Sequence, residues 1–313
     1  MFVSNGKEFH FYLFGLRLGF ASLFANGFAL GVKKTIGKIS QPINSYSRFP
    51  EFNFMDSAID HYTGERSRND TLRILDVGSP KCFGFYLARK LAAQIHSTDI
   101  SILNVAEYMV MWNAVKRYAK GEVSFSLHDA RNLGYPDHFF DIAYSMSVIE
   151  HVEGERGDLK SITEMIRVLK PGGLLLVSVP AGEVFVEQQR VGLAGAARRT
   201  KDKKAYFFQR IYDLSSLRGV FPAYNTDLRE VTLGVVQRRC HSLIRAWGAL
   251  GENLRGALGF LNPIISMLCN RPREGTMGPG HTTYGKTYAE GDVYGDWLIS
   301  ARRASLPTQR AKQ

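Results

Sequence analysis

From Thr71 to Pro180 the chain alternates short apolar or β-branched runs with stretches whose apolar residues recur every three or four positions. The runs TLRILDV, IHSTD, VSFSLHD, FDIAYSMSVI and LLLVSVP have the length and composition of strands. Between them, helical spacing appears in three places: Phe83 to Ala93, the segment carrying Ile102, Val105, Met109 and Trp112, and the segment carrying Leu159, Ile162, Ile166 and Leu169. Lys170-Pro171-Gly172-Gly173 stops the last of these helices before the next strand. Strands separated by helices in this way run parallel, with helices on both faces of the sheet, so the fold class is α/β. Ligands of such sheets bind beyond the carboxyl ends of the strands, which narrows the search for chemistry to a few residues.

Those strand ends offer, in order, Asp76 with the Gly78 loop, Asp99, Asp129, and the pair Glu150-His151. A carboxylate about twenty residues after a strand-to-helix glycine turn is placed to accept both hydroxyls of a ribose, and Asp99 is that residue. On the next strand, Asp129 lies along the same edge, where it can accept a hydrogen from an adenine amino group. Each has a plainer alternative, since an Asp after a strand often only caps a helix or forms a turn. The loop LDVGSPKCFG departs from a dinucleotide site, because Pro80 and Cys82 stand where glycines would let the backbone approach a pyrophosphate. Pro80 removes a donor and stiffens the turn, and Cys82 is expected to narrow it. The missing GxGxxG counts against a nicotinamide-dependent oxidoreductase.

Taken together, LDVGSPKCFGFYLARK, STDIS, FSLHDARNLGYPDHFFDIAYSMSVIEHV and EMIRVLKPGGLLLVSVP resemble the class I S-adenosylmethionine-dependent methyltransferases, the small-molecule type 11 branch in particular. The likeness runs from Ile74 to Pro180 and extends to an expected antiparallel last strand, DWLISARR. It implies a Rossmann-like, mostly parallel seven-stranded sheet and S-adenosyl-L-methionine as cofactor. Asp76, Gly78, Ser79 and Pro80 would surround the methionine portion, Asp99 and Ile100 the ribose, Asp129 and Ala130 the adenine, with Ser145 beside them. The implied reaction is methyl transfer from a sulfonium. Its leaving group is neutral and good, so alignment and exclusion of water do most of the work, with or without a base for the acceptor. His151, or else Glu150, is the candidate base, and an imidazole suits proton transfer near neutrality. A methyltransferase-like, non-catalytic scaffold or regulatory subunit at a membrane is the alternative, motivated by the altered loop.

Outside this core the organisation is less regular. From Phe9 to Val32 the chain is strongly apolar, and Lys33, Lys34 and Lys38 follow. On a helix, Gly15, Gly19, Ser22, Asn26, Ala29 and Lys33 share one small or polar stripe. Three placements are open to it: docked on the soluble domain, lying in a membrane plane, or spanning a bilayer. The plan that follows has an apolar and basic helix in 1–40, a connector in 41–70, the methyltransferase domain in 71–305 and a flexible tail in 306–313. Within the domain, 181–224 is expected to bind the acceptor. Strands are expected at Asn225 to Val236 and Asp292 to Arg303, with a helical insertion over 237–290 that Gly256, Gly259 and Pro263 should interrupt.

A formal charge of +11 biases the partners toward anions. ARRTKDKKAYFFQRIYDL places Arg198, Arg199, Tyr206, Arg210 and Tyr212 together, basic groups beside aromatics, which suits an anionic small-molecule or lipid-linked acceptor. Peripheral membrane contact is equally compatible, whereas nucleic acid is disfavoured because no basic stripe continues the patch. Cys82, Cys240 and Cys269 form no CxxC pair, so no zinc or other metal site and no disulfide framework is expected. The implied location is the cytoplasm, at the inner face of a membrane if the apolar N-terminus engages one.

Overall fold

The computed structural model describes residues 7–25, 46–66, 71–191, 205–221, 228–238, 240–250, 254–255, 258–275 and 295–304. Helices α1 (Glu8–Ala25) and α2 (Arg48–Gly64) precede the alternating region. That region runs β1 (Leu72–Val77), α3 (Lys81–Lys90), β2 (Ala93–Asp99), α4 (Ile102–Val115), β3 (Glu122–Leu127), β4 (Phe140–Met146), α5 (Gly157–Val168) and β5 (Leu169–Ala181). There follow β6 (Val186–Val191), β7 (Ala205–Ile211), α6 (Leu214–Val220), β8 (Leu228–Arg238), α7 (His241–Ala249), α8 (Asn262–Cys269), β9 (Asn270–Gly275) and β10 (Gly295–Arg303).

The main sheet has the order β3-β2-β1-β4-β5-β10-β8-β9. β1 pairs in parallel with β2 on one side and β4 on the other, and β5 continues in parallel beside β4. The order therefore reverses between β1 and β4, the switch point at which crossovers diverge and leave a crevice. As expected, β10 is antiparallel to its neighbours, β5 and β8. Burial follows position in the sheet: β4 is buried throughout, whereas β3, at the edge, exposes Glu122, Ser124 and Leu127. The sheet carries one strand more than the seven expected. β9 adds to the outer edge of β8, from a stretch expected to be helical. Asn270-Arg271-Pro272 ends the preceding helix, and an edge is where a sheet tolerates proline. Among its other described residues the insertion is helical and broken, with a single turn at Gly259–Leu261 and Pro263 starting α8.

Two findings revise the N-terminal third. The connector expected over 41–70 contains α2, and from Phe49 to Asp56 every residue of it is buried. A stretch covered on all sides shows no amphipathic period, so the pattern of 49–56 is hidden from sequence. Of the placements open to the apolar N-terminus, the structure has the docked one for residues 8–25. Phe11, Phe14 and Leu18 pack into the main core, and Gly15, Gly19 and Ser22 of the small stripe are buried with them. Phe11 meets Phe52 edge-on at 5.4 Å and Tyr86 at 5.0 Å. Burying a side chain of this size contributes about 1.5–3 kcal/mol. Among the described residues no helix is long and apolar enough to cross a membrane. The remainder of the apolar run and Lys33, Lys34 and Lys38 lie outside the described residues.

Candidate functional site

At the carboxyl end of β1, Gly78 has φ +68°, and a Cβ there would lie 2.7 Å from Val148 Cγ1. Both conformation and space thus require glycine. Asp76, one turn earlier, does not face the crevice. It is fully buried and accepts hydrogen bonds from the Ser79 amide (3.0 Å), the Lys81 ammonium (3.0 Å) and the Ser97 hydroxyl (2.8 Å). Ser79 Oγ in turn accepts from the Met146 amide at 2.9 Å, and Ser145 Oγ donates to the Val77 carbonyl at 3.2 Å. Asp76, Ser79 and Ser145 therefore staple β1 to β2 and β4 behind the loop. Lys81, which sequence reasoning passed over, neutralises the carboxylate. Pro80 sits at the start of α3 with φ −56° and fixes the helix entry. Cys82 does not narrow the loop. Its thiol is buried in the core, where burial pushes it up to about 12 and leaves it inert.

In front of the loop opens a cavity of about 520 Å³, a size that suits a small-molecule site. Gly78, Asp99, Ile100, Asp129, Ala130 and His151, all expected at the site, line it. So do Thr98, His128, Arg131 and Val148, which carried no sequence signal of their own. Asp99 Oδ1 accepts from the Ser101 amide at 2.8 Å, and Asn104 reaches the carboxylate at 3.2 Å. Those bonds leave a carboxylate with about four acceptor sites able to take further donors. Asp129 is more committed: the Arg131 side chain forks onto it, with Nη2 to Oδ2 at 2.6 Å, and that bond holds its carboxyl below the usual range. Arg131 also donates to the Glu153 carbonyl across the mouth at 3.1 Å. An adenine at this place therefore meets the Ala130 backbone beside an ion pair, and not a free carboxylate.

The far wall includes His151, on a single turn after β4 with the buried Glu150 beside it. His151 Nδ1 lies 2.6 Å from the Phe208 carbonyl, which can only accept. The proton is thus on Nδ1, and Nε2 is the basic nitrogen. Burial lowers the His151 pKa. Glu150 is buried with Oε2 unpartnered, 3.7 Å from His151 Nε2 through its other oxygen, and burial pushes its pKa well up. From α2, Glu51 closes over this end of the sheet. It accepts from Ser147 and Ser178 hydroxyls at 2.6 Å each and from Arg48 at 2.8 Å.

The segment expected to bind the acceptor forms an antiparallel hairpin, β6 with β7, and then α6. Arg210 and Tyr212 are buried and hydrogen-bonded inside the protein, and Arg210 also lines the second cavity described below. Arg210 donates to the carbonyls of Val152 (2.7 Å) and Gly154 (2.9 Å) and to Glu187 (2.9 Å), while Tyr212 donates to Asp158 at 2.8 Å. They hold the hairpin against the loop that follows His151. Arg210→Ala is expected to cost about 1.5–3 kcal/mol in denaturant unfolding, because two carbonyls lose a charged donor. Tyr206 is half-buried on β7, and Arg198 and Arg199 lie outside the described residues. A second cavity of about 620 Å³ opens beneath the hairpin and shares Glu153 and Gly154 with the first. Among the described residues, no cluster of His, Cys, Asp and Glu could hold a metal ion.

Residues 75–177 match the family described as "Methyltransferase domain". Phosphoethanolamine N-methyltransferase 1 of Zea mays is 36% identical over 109 residues, covering 34% of this chain and 20% of the relative. The ubiquinone/menaquinone biosynthesis C-methyltransferase of Stutzerimonas stutzeri (strain A1501) is 41% identical over 71 residues, 21% of this chain and 25% of the relative. Each match thus spans a quarter or less of the curated relative's own length. Among solved structures, an S-adenosylmethionine-dependent methyltransferase of Methanosarcina mazei aligns over 79% of this chain and 97% of its own, at 14% identity and a TM-score of 0.46.

Proposed function

We propose that the protein is a class I S-adenosylmethionine-dependent methyltransferase, a reading supported by the match of residues 75–177 to the methyltransferase domain family, and that it transfers a methyl group to an O, N or C nucleophile of a small or lipid-linked acceptor. One observation carries this reading: the crevice at the sheet's switch point brings Gly78, Asp99, Ala130 and His151 onto a single cavity. Gly78 and its turn would face the methionine portion, Asp99 the ribose hydroxyls, and the Ala130 backbone with Asp129 the adenine. When bound, S-adenosylmethionine supplies an electrophilic methyl on a sulfonium. The chain's own residues then align the acceptor and exclude water. His151 Nε2 takes the acceptor's proton, with Nδ1 anchored on the Phe208 carbonyl. Glu150, its pKa raised by burial, stands 3.7 Å from Nε2 as the alternative base. The open cavity and the glycine-dependent turn give the non-catalytic alternative no support.

The acceptor would enter through the second cavity under the hairpin. An anionic acceptor is supported by the run that includes Arg198 and Arg199 and by the phosphate in the name of the maize relative's substrate. The methyltransferase domain would span 71–305, with α2 (Arg48–Gly64) packed on it as a cover. A cytoplasmic location, at the inner face of a membrane, fits the free cysteines and the apolar N-terminal helix.

Methyl transfer from labelled S-adenosylmethionine to fractions of lipids and small metabolites tests the proposal directly. Absence of transfer by folded protein that also fails to bind S-adenosylhomocysteine would overturn it. His151→Gln is expected to lower kcat by about 10²–10⁴-fold if proton removal is part of the step. The pH profile has a defined sign: His151 is lowered from its ordinary value, so the basic form persists to more acidic pH. The acid limb of kcat/KM should therefore fall below pH 6.5, the usual imidazole value, and be missing in His151→Gln.

A further inference from the structure

α1 is packed between α4 and α8. Its buried side is accounted for by the core, but its outer side is not polar. Phe9, Leu13 and Phe20 are 45%, 50% and 55% exposed, and their spacing of four and seven puts them on one stripe. α8 continues the apolar surface with Ile264, Met267 and Leu268, and Phe260 just before it is 51% exposed. Single exposed apolar residues are ordinary, but a contiguous set on adjoining helices marks an interaction surface.

A groove beside this stripe indicates what lies on it. Between α1 and α4 is a cavity of about 290 Å³ whose floor includes Phe14, Leu18, Phe85 and Trp112. Phe85 and Trp112 stack at 5.5 Å, which keeps the floor flat and apolar. At the rim stand Arg17 and Arg89, both exposed, and neither is in an ion pair among the described residues. An apolar slot with two guanidinium groups at its mouth matches an amphiphile that has a hydrocarbon chain below an anionic head, and guanidinium pairs with phosphate bidentately.

We propose that the α1–α8 face lies on an anionic phospholipid surface, with Arg17 and Arg89 receiving lipid phosphate above the groove between α1 and α4. The net charge of +11 supplies the long-range attraction. The stripe supplies the insertion, to the shallow depth of a helix lying in the interface and not crossing it. The reading is independent of methyl transfer, since none of these residues lines the crevice.

Flotation of the full chain with vesicles tests it, using phosphatidylcholine alone, equal parts phosphatidylcholine and phosphatidylglycerol, and the mixed vesicles with excess inorganic phosphate. Binding to the mixed vesicles should exceed that to phosphatidylcholine alone by about tenfold or more and survive free phosphate. Arg17→Gln with Arg89→Gln should reduce it about thirtyfold, from two lost surface charges. Leu13→Ser with Phe20→Ser, both on the exposed side, should reduce it while unfolding and S-adenosylhomocysteine binding stay as in the parent. Equal flotation of parent and variants, competition by inorganic phosphate alone, or a concentration-dependent dimer that buries this face would each overturn the proposal. S-adenosylhomocysteine binding is read separately, so failure here leaves the catalytic reading untouched, and the reverse holds too.

Discussion

Lys81→Met should destabilise the protein by about 3–5 kcal/mol, the cost of leaving a buried charge without its partner. Asp76 is fully buried and Lys81 is 2% exposed, with 3.0 Å between Nζ and Oδ2. Removing the ammonium leaves the carboxylate with the Ser79 amide and Ser97 hydroxyl, two neutral donors for a full charge. It also removes a donor from the Thr98 carbonyl, 3.2 Å from Nζ at the end of β2. The double change Asp76→Asn with Lys81→Met should recover much of the loss, because removing both charges spares the penalty that removing one incurs. Urea unfolding of the three variants checks both statements. A midpoint for Lys81→Met equal to the parent's would mean that Asp76 needs no cation.

Asp99→Ala should weaken S-adenosylhomocysteine binding by about 10- to 150-fold, the loss of about 1.5–3 kcal/mol expected for hydrogen bonds to a charged acceptor. The stability cost should be small, about 1 kcal/mol, since Asp99 only supplements Ser101 at the start of α4. Asp99→Asn should lose less, because the amide keeps one acceptor. Titration calorimetry on folded protein measures the affinities. Unchanged affinity in Asp99→Ala would show that the cofactor's ribose lies elsewhere.

The alternation of periods over Thr71 to Pro180 was enough to place the parallel strands and the crevice, because each strand and helix there exposes or buries its residues in a regular rhythm. Gly78, Asp99, Asp129 and His151 were legible for the same reason: they fall where strands end. What stayed hidden depends on partners distant in the chain. Arg210 looked like a surface cation because its carbonyl acceptors, on Val152 and Gly154, are 58 and 56 residues away. Lys81 looked like an ordinary first-turn residue, although its partner sits on the strand before it. The helix around Phe52 has no period because Phe49 to Asp56 are all buried, and the position of Asp76 at a strand end does not reveal which way it faces.

The place of β10 in the sheet bears on how the chain is assembled. It lies between β5 and β8, so β8, β9 and the helices they carry have no hydrogen-bonded attachment to the main sheet until residues 295–303 have been made. During synthesis, which proceeds N-terminal first, β3, β2, β1, β4 and β5 can associate while the outer edge of β5 is unpaired. That edge carries Leu174 to Val177 and Val179, a run rich in β-forming apolar residues of the kind that pairs with other chains when exposed. Nascent molecules are thus most vulnerable to aggregation between the synthesis of β5 and that of β10, and β10 acts as the stopper that ends the risk.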